Sequence, residues 1–333
     1  MRTVLAILIV FMHSFTCYNG SWEQPAGYVD IPLYRWLSRI SFAFTLEAFV
    51  FISGYLFAFQ RISLKRTEGC ISLVINKLKR LLLPSIIFSI VYFALFYESS
   101  GLGDAVYSII NGCGHMWFLP MLFWCFLGGW LLEQVKVKNR WKFLFLVIIN
   151  LFCIVSCPLR ISNAAAYMVY FYSGFLMYSH FDKIDKLKTV ITHQRLVWSW
   201  IVFIVFFTIL RSMRDVLVAN DSQPQIHKLF FIVGDNTCKL IYASVGLMAF
   251  YLSAVYYIQH HKLRPFTINF SSCCFGIYLF QQFVLQLFYY KTSLPLIVGP
   301  YWLPWCGFVI ATIISYVLSV LLLKTKMGRL LIG

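Results

Sequence analysis

Acidic residues are scarce. The chain has 333 residues with 12 Asp plus Glu against 28 Lys plus Arg, and only 12% of it is charged. A soluble domain carries roughly twice that charge, so a water-soluble globular chain is excluded. No polar stretch is long enough to form a separate soluble domain, and no low-complexity linker interrupts the apolar runs. The ten cysteines lack the spacing of a metal site or a disulfide framework. Most lie in apolar runs (Cys125, Cys153, Cys273, Cys274), and Cys153 and Cys157 stand one turn apart without a second pair. They read as small apolar packing residues, and no metal site is expected. There is no internal repeat of the kind many transporters carry. A cleavable leader with a basic start and a small-residue cleavage site is also missing. The first apolar segment starts almost at Met1 and is short for a span of about 20 residues, which points to an upstream start.

What is present is apolar surface. Hydrophobic residues make up 60% of the chain, and the mean hydropathy is +0.77. These values predict an all-α, polytopic membrane protein with about ten transmembrane helices in a single domain, 1–333. The expected spans are 3–18, 40–59, 81–97, 115–133, 142–156, 164–179, 197–213, 239–258, 270–289 and 297–323. The net charge of +16 would suit nucleic acid in a soluble protein. Here the basic residues fall in short loops, as the positive-inside rule expects, so membrane lipid is the expected partner and nucleic acid is not. With the N-terminus in the cytoplasm, the inner segments hold more than twice as many basic residues as the outer ones. Both termini are therefore expected inside. Residues 98–114, with Glu98, Asp104 and the flexible Gly101, Gly103, Gly112 and Gly114, and residues 214–238, the longest outer loop, with Asp215, Asp221, Pro224 and Asp235, read as solvated outer connections, with gating or contact to a polar ligand as the alternative.

Four groups of residues suit chemistry. Arg2 and His13 are eleven residues apart, three helical turns with about 20° left over, so they share a stripe with Ala6 and Ile9, roughly 16 Å apart along the axis. An ionisable group at membrane depth is costly and suggests function; an imidazole that only hydrogen-bonds a neighbouring helix is the competing explanation. Glu47 lies in the second span at a matching depth. A carboxylate beside an imidazole is a usual general-base pair, and a structural interhelical hydrogen bond is the alternative. Gly54, two turns along the same face, would let helices approach closely. Lys77 and Arg80, with Lys79 between them, cluster cations before Pro84. Such a cluster suits a polyphosphate ligand, and equally suits topology or anionic lipid. His115 is expected near the level of His13, with Trp117 beside it as a cavity wall or an interfacial belt residue.

In order along the chain, these pieces resemble the integral-membrane acyltransferase 3 family. The basic residue, ten residues, then His of the first helix matches Arg2 and His13. Phe49-Val-Phe-Ile-Ser-Gly-Tyr55, Lys77-Leu-Lys-Arg-Leu-Leu-Leu-Pro84, His115-Met-Trp-Phe-Leu119, Phe171-Tyr-Ser-Gly-Phe-Leu176 and Phe275-Gly-Ile-Tyr-Leu-Phe280 resemble later elements. Gln281-Gln282 stand where many members have His, so no catalytic role is expected there. The resemblance implies transfer of an acyl group, usually acetyl from acetyl-CoA, to a hydroxyl of a cell-surface or lipid-linked glycan. It implies a multi-pass protein of the bacterial cytoplasmic membrane with no permanently bound cofactor. Within it, His13 and Glu47 are the expected catalytic pair, Arg2, Lys77 and Arg80 hold the coenzyme, and His115 and Trp117 meet the acceptor. The competing class is a transporter or flippase of a lipid-linked sugar that uses His13 and Glu47 for proton coupling.

Overall fold

The computed structural model describes residues 1–66, 69–98, 101–153, 157–180, 191–219, 225–262 and 265–333, and every regular element among them is helical. Lys183, Lys186, Lys188, Asp221, Pro224 and Arg264 lie outside the described residues. Among the described residues, seven helices are long and apolar enough to cross a membrane: Pro32–Ile62, Cys70–Phe96, Gly114–Gln134, His193–Val216, Phe230–His260, Asn269–Tyr290 and Leu303–Leu323. Each coincides with an expected span. The other three expected spans are also helices, Arg2–Ser14, Asn139–Phe152 and Ile161–Ser179, but they fall short in length or hydropathy. A 13-residue helix covers only about 20 Å, less than the roughly 30 Å hydrocarbon core.

Two local departures follow from the backbone. The expected span 40–59 is interrupted: helix Pro32–Phe42 ends, Phe44 adopts φ −145° and ψ −7°, and a new helix runs over Thr45–Ile62. Glu47 therefore stands in the first turn of a helix, where free N–H groups and the helix dipole favour a carboxylate. The expected outer connection 214–238 is largely helical, because helices His193–Ala219 and Gln225–His260 extend into it from both sides. The chain also widens into a π turn at Leu78–Leu82. Pro84 has no N–H to offer the Arg80 carbonyl and its ring crowds that carbonyl, so Leu83 N–H bonds instead to Leu78 five residues back.

The chain forms two compact units, each assembled from separate stretches of sequence. The first comprises Met1–Phe42, Val74–Phe123 and Leu263–Gly333. Its centre is helix Pro265–Tyr290, packed against Leu303–Leu323 and Arg2–Ser14. Small residues make these contacts close: a side chain at Gly276 would strike Ser319, and one at Gly307 would strike Tyr289. The Tyr289 hydroxyl donates to the Ser14 carbonyl at 2.6 Å, which pins the end of the first helix. Beyond it, Tyr18 donates to Pro300 O at 3.1 Å and Tyr34 to Tyr301 O at 2.7 Å. The loop after the first helix is thus tied down at both ends.

The second unit comprises Ala43–Leu73 and Trp124–Lys262. Its tightest pair is Thr45–Ile62 against Ile161–Ser179. The expectation for Gly54 holds in geometric detail. A Cβ at Gly54 would lie 1.9 Å from the Phe171 carbonyl oxygen, and one at Gly174 would lie 2.0 Å from that of Phe51. The two backbones meet with no side chain between them, as small residues allow in membrane bundles. Arg61 pairs with Glu133 at 3.0 Å, and Asp235 pairs with Arg214 and with Lys239. Gly54→Ala has no flexible neighbour to displace. It should destabilise the protein by roughly 1–3 kcal/mol, read as a fall in the thermal unfolding temperature of purified protein. Gly103→Ala, exposed with nothing within 4 Å, is the control and should not lower it. Equal stability of the Gly54 and Gly103 variants would contradict the crossing.

Candidate active site

The first helix presents the stripe expected of it. Arg2 is exposed, Ala6 and Ile9 are fully buried, and His13 is half-buried where the helix ends. The His13 ring faces a cavity of about 600 Å³. His115 and Trp117 line the same cavity, so three of the expected residues meet. The imidazole centroids of His13 and His115 are 6.1 Å apart, and their planes are inclined by 64°.

The chain makes the turn before His115 with glycines. Gly112 has φ +82° and Gly114 φ +52°, a region open to glycine at little cost. Gly114 also has no room for a Cβ, which would lie 2.8 Å from the Tyr92 ring and 3.1 Å from Gln282 Oε1. These residues are a conformational requirement and not the flexible connection expected of 98–114.

His115 is held from one helix. Gln282 Oε1 accepts from its backbone N–H at 2.7 Å, and Tyr278 donates to its carbonyl at 2.5 Å. The ring Nε2 lies 3.1 Å from the carbonyl oxygen of Leu279. A carbonyl only accepts, so Nε2 carries the proton, and in the neutral ring Nδ1 carries the lone pair. Nδ1 of His115 and of His13 are both enclosed: the Gln282 side chain lies beside the first ring, and Gln281 and the Ile9 carbonyl lie beside the second, without a hydrogen bond of ordinary geometry at either nitrogen. Gln281 is fully buried and its amide is a polar neighbour of the His13 ring, yet neither amide atom completes a hydrogen bond of ordinary geometry. The sequence assigned Gln281 and Gln282 no catalytic role. The available signal was two adjacent amides within an apolar helix.

The walls are aromatic. Trp22 lies parallel to His13, within 7° and with centroids 6.0 Å apart, and it also contacts Tyr289 and Tyr290. Tyr92, Tyr97 and Trp117 contribute further faces, while Gln286 and the exposed Glu23 and Lys291 add polar groups. Aromatic faces with a few convergent amides suit a polar ligand that also has apolar C–H surface.

The cations lie elsewhere in this unit. Arg2, at the opposite end of the first helix from His13, is within electrostatic reach of Arg80 and Cys274. The C-terminal helix Lys326–Ile332, with Arg329, packs on the π turn that bears Arg80. Lys77 ends the helix just before that turn. Glu47 belongs to the second unit. Its Oε2 is enclosed without a hydrogen-bond partner, and its pairing with His13 stays an expectation of the sequence. Among the described residues no group of three or more His, Cys, Asp or Glu could hold a metal ion.

One family model matches the chain. It is described as an acyltransferase domain, of the acyltransferase 3 type, and it covers residues 1–324. No curated protein and no solved structure matches.

Proposed function

The chain belongs to the acyltransferase 3 family, and from that premise we propose that it is a membrane-embedded O-acyltransferase acting on a glycan. The acyl group, acetyl, comes from cytoplasmic acetyl-CoA and goes to a hydroxyl of a cell-surface or lipid-linked glycan at a bacterial cytoplasmic membrane. The observation that carries this reading is the cavity with His13 and His115 in its wall among aromatic faces and amides. Arg2 and Arg80 together, with Lys77 one turn earlier, suit the phosphates of the coenzyme. The length of the first helix between Arg2 and His13, roughly 16 Å, is comparable to an extended pantetheine arm.

In this reading His13 accepts the proton of the acceptor hydroxyl as the oxygen bonds to the thioester carbonyl carbon. The tetrahedral adduct collapses, the C–S bond breaks, and the proton passes to the departing thiolate. Glu47 is the carboxylate that the sequence offers for an orienting role. His115, Trp117 and the other aromatic residues hold the acceptor.

Two sets of variants test the assignment in membranes carrying equal amounts of protein. His13→Ala and His13→Gln should both abolish acetylation, because an amide keeps polarity but cannot take the proton. Glu47→Gln should cost less. Robust acetylation by an inserted His13→Gln protein would remove His13 from the mechanism. Lys77→Ala combined with Arg80→Ala should raise the apparent KM for acetyl-CoA by about tenfold or more, since charge-assisted hydrogen bonds contribute about 1.5–3 kcal/mol each. An unchanged donor KM would assign the cluster to topology alone.

A further inference from the structure

The donor assigned above carries a diphosphate and, beyond it on the ribose, a separate phosphate. Arg2 and Arg80 are within electrostatic reach of each other and suit the diphosphate. The ribose phosphate calls for a further cation near Arg80. The C-terminal helix Lys326–Ile332 supplies one. It lies past residue 324, where the family match ends, so its role has to be read from its contacts. Those contacts are close. Thr325 Oγ1 accepts from the Gly328 N–H at 2.9 Å and caps the start of the helix. Gly328 has no room for a side chain, since a Cβ there would lie 1.7 Å from the Leu322 carbonyl oxygen. Leu331 and Ile332 are buried, and Ile332 reaches Gly276. The helix packs on the π turn that bears Arg80 and on helices Leu83–Phe96 and Pro265–Tyr290. Arg329 stays exposed on it, as Arg80 does on the turn and Arg2 on the first helix.

Docking this helix brings like charges together. The acidic side chains of the first unit are Glu23, Asp30, Glu98 and Asp104. Glu23 and Asp30 follow the His13 end of the first helix, and Glu98 and Asp104 follow the end of helix Leu83–Phe96 that is remote from Arg80. The Arg80 end of the unit has none. Among the described residues neither Arg80 nor Arg329 forms an ion pair. Like charges repel, burial of Leu331 and Ile332 holds the helix in place against that repulsion, and a bound anion would relieve it. We propose that Arg329 binds the ribose phosphate of the donor, so that the C-terminal helix makes the protein selective for acetyl-CoA over donors that lack this phosphate. The proposal rests on the acyl-transfer reading above and adds to it the contact that sets donor specificity. The order of residues then follows the order of groups in the coenzyme. His13 stands at the thioester, the first helix runs along the pantetheine arm, Arg2 and Arg80 meet the diphosphate, and Arg329 meets the ribose phosphate. Arg329 acts on donor binding alone and makes or breaks no bond. The phosphate of an anionic lipid shares this chemistry, and the test separates the two sources.

The test measures Kd for acetyl-CoA and for acetyl-dephospho-CoA, which lacks only the ribose phosphate. It uses the full chain in nanodiscs of phosphatidylcholine, with and without phosphatidylglycerol. The wild-type protein should bind acetyl-CoA about tenfold or more tighter than the dephospho compound, with either lipid. Arg329→Gln should lose that preference: its Kd for acetyl-CoA should rise to the wild-type value for acetyl-dephospho-CoA, and its Kd for the dephospho compound should stay where it was. Arg329→Lys keeps the charge without the planar fork and should retain part of the preference. Equal wild-type affinity for the two donors would overturn the proposal, and so would a preference that survives in Arg329→Gln. Equal weakening of both donors in Arg329→Gln would also overturn it, because that is the signature of a helix that is only structural. An effect of Arg329→Gln confined to nanodiscs with phosphatidylglycerol would assign the residue to lipid and overturn it as well. Failure of the wild-type protein to bind either donor would strike the underlying reading, and the proposal with it, so the two failures are distinguishable.

Discussion

The site depends on the face that helix Pro265–Tyr290 turns toward residues 114–117. Tyr278, Leu279 and Gln282 lie within about one turn on it and hold the carbonyl, the ring nitrogen and the backbone N–H of His115. The same helix carries Gln281 beside His13 and Tyr289, which pins the end of the first helix. Both imidazoles are thus positioned from one rigid element. Close packing through Gly276 and Gly307 against Leu303–Leu323 holds that element in turn.

Periodicity made much of this legible. The eleven-residue separation of Arg2 and His13 put both on one stripe, and the structure buries Ala6 and Ile9 between them. Gly54 was readable as a point of close approach because a lone glycine inside an apolar helix has few other uses, and its nearest neighbour is a carbonyl oxygen. Co-location of His13, His115 and Trp117 followed from depth alone, since residues near the same ends of packed spans tend to meet.

What stayed hidden was set by local conformation and by side-chain partners. The break at Phe44 has no proline or glycine to announce it, so one apolar run was read as one span. Gly112 and Gly114 looked like loosening elements because composition does not reveal the sign of φ. Gln281 and Gln282 were passed over because a pattern of residue types compares positions, whereas their use lies in orientation: one amide holds a backbone N–H, the other lies against a ring. Glu47 was placed by depth, but its position in the first turn of a helix gives a buried carboxylate a second source of stabilisation.

The first unit contains both the exposed cations and the aromatic cavity, at opposite ends of one short helix. A donor that is charged at one end and reactive at the other matches that separation of character. Acyl transfer and transport are separated by inverted membrane vesicles from a strain with this protein and from its deletion strain, supplied with acetyl-CoA labelled in the acetyl group. Alkali-labile label is expected in membrane glycan only where the protein is present. Equal labelling in both strains, together with a change in the transbilayer distribution of the lipid-linked sugar, would contradict it and establish transport as the activity.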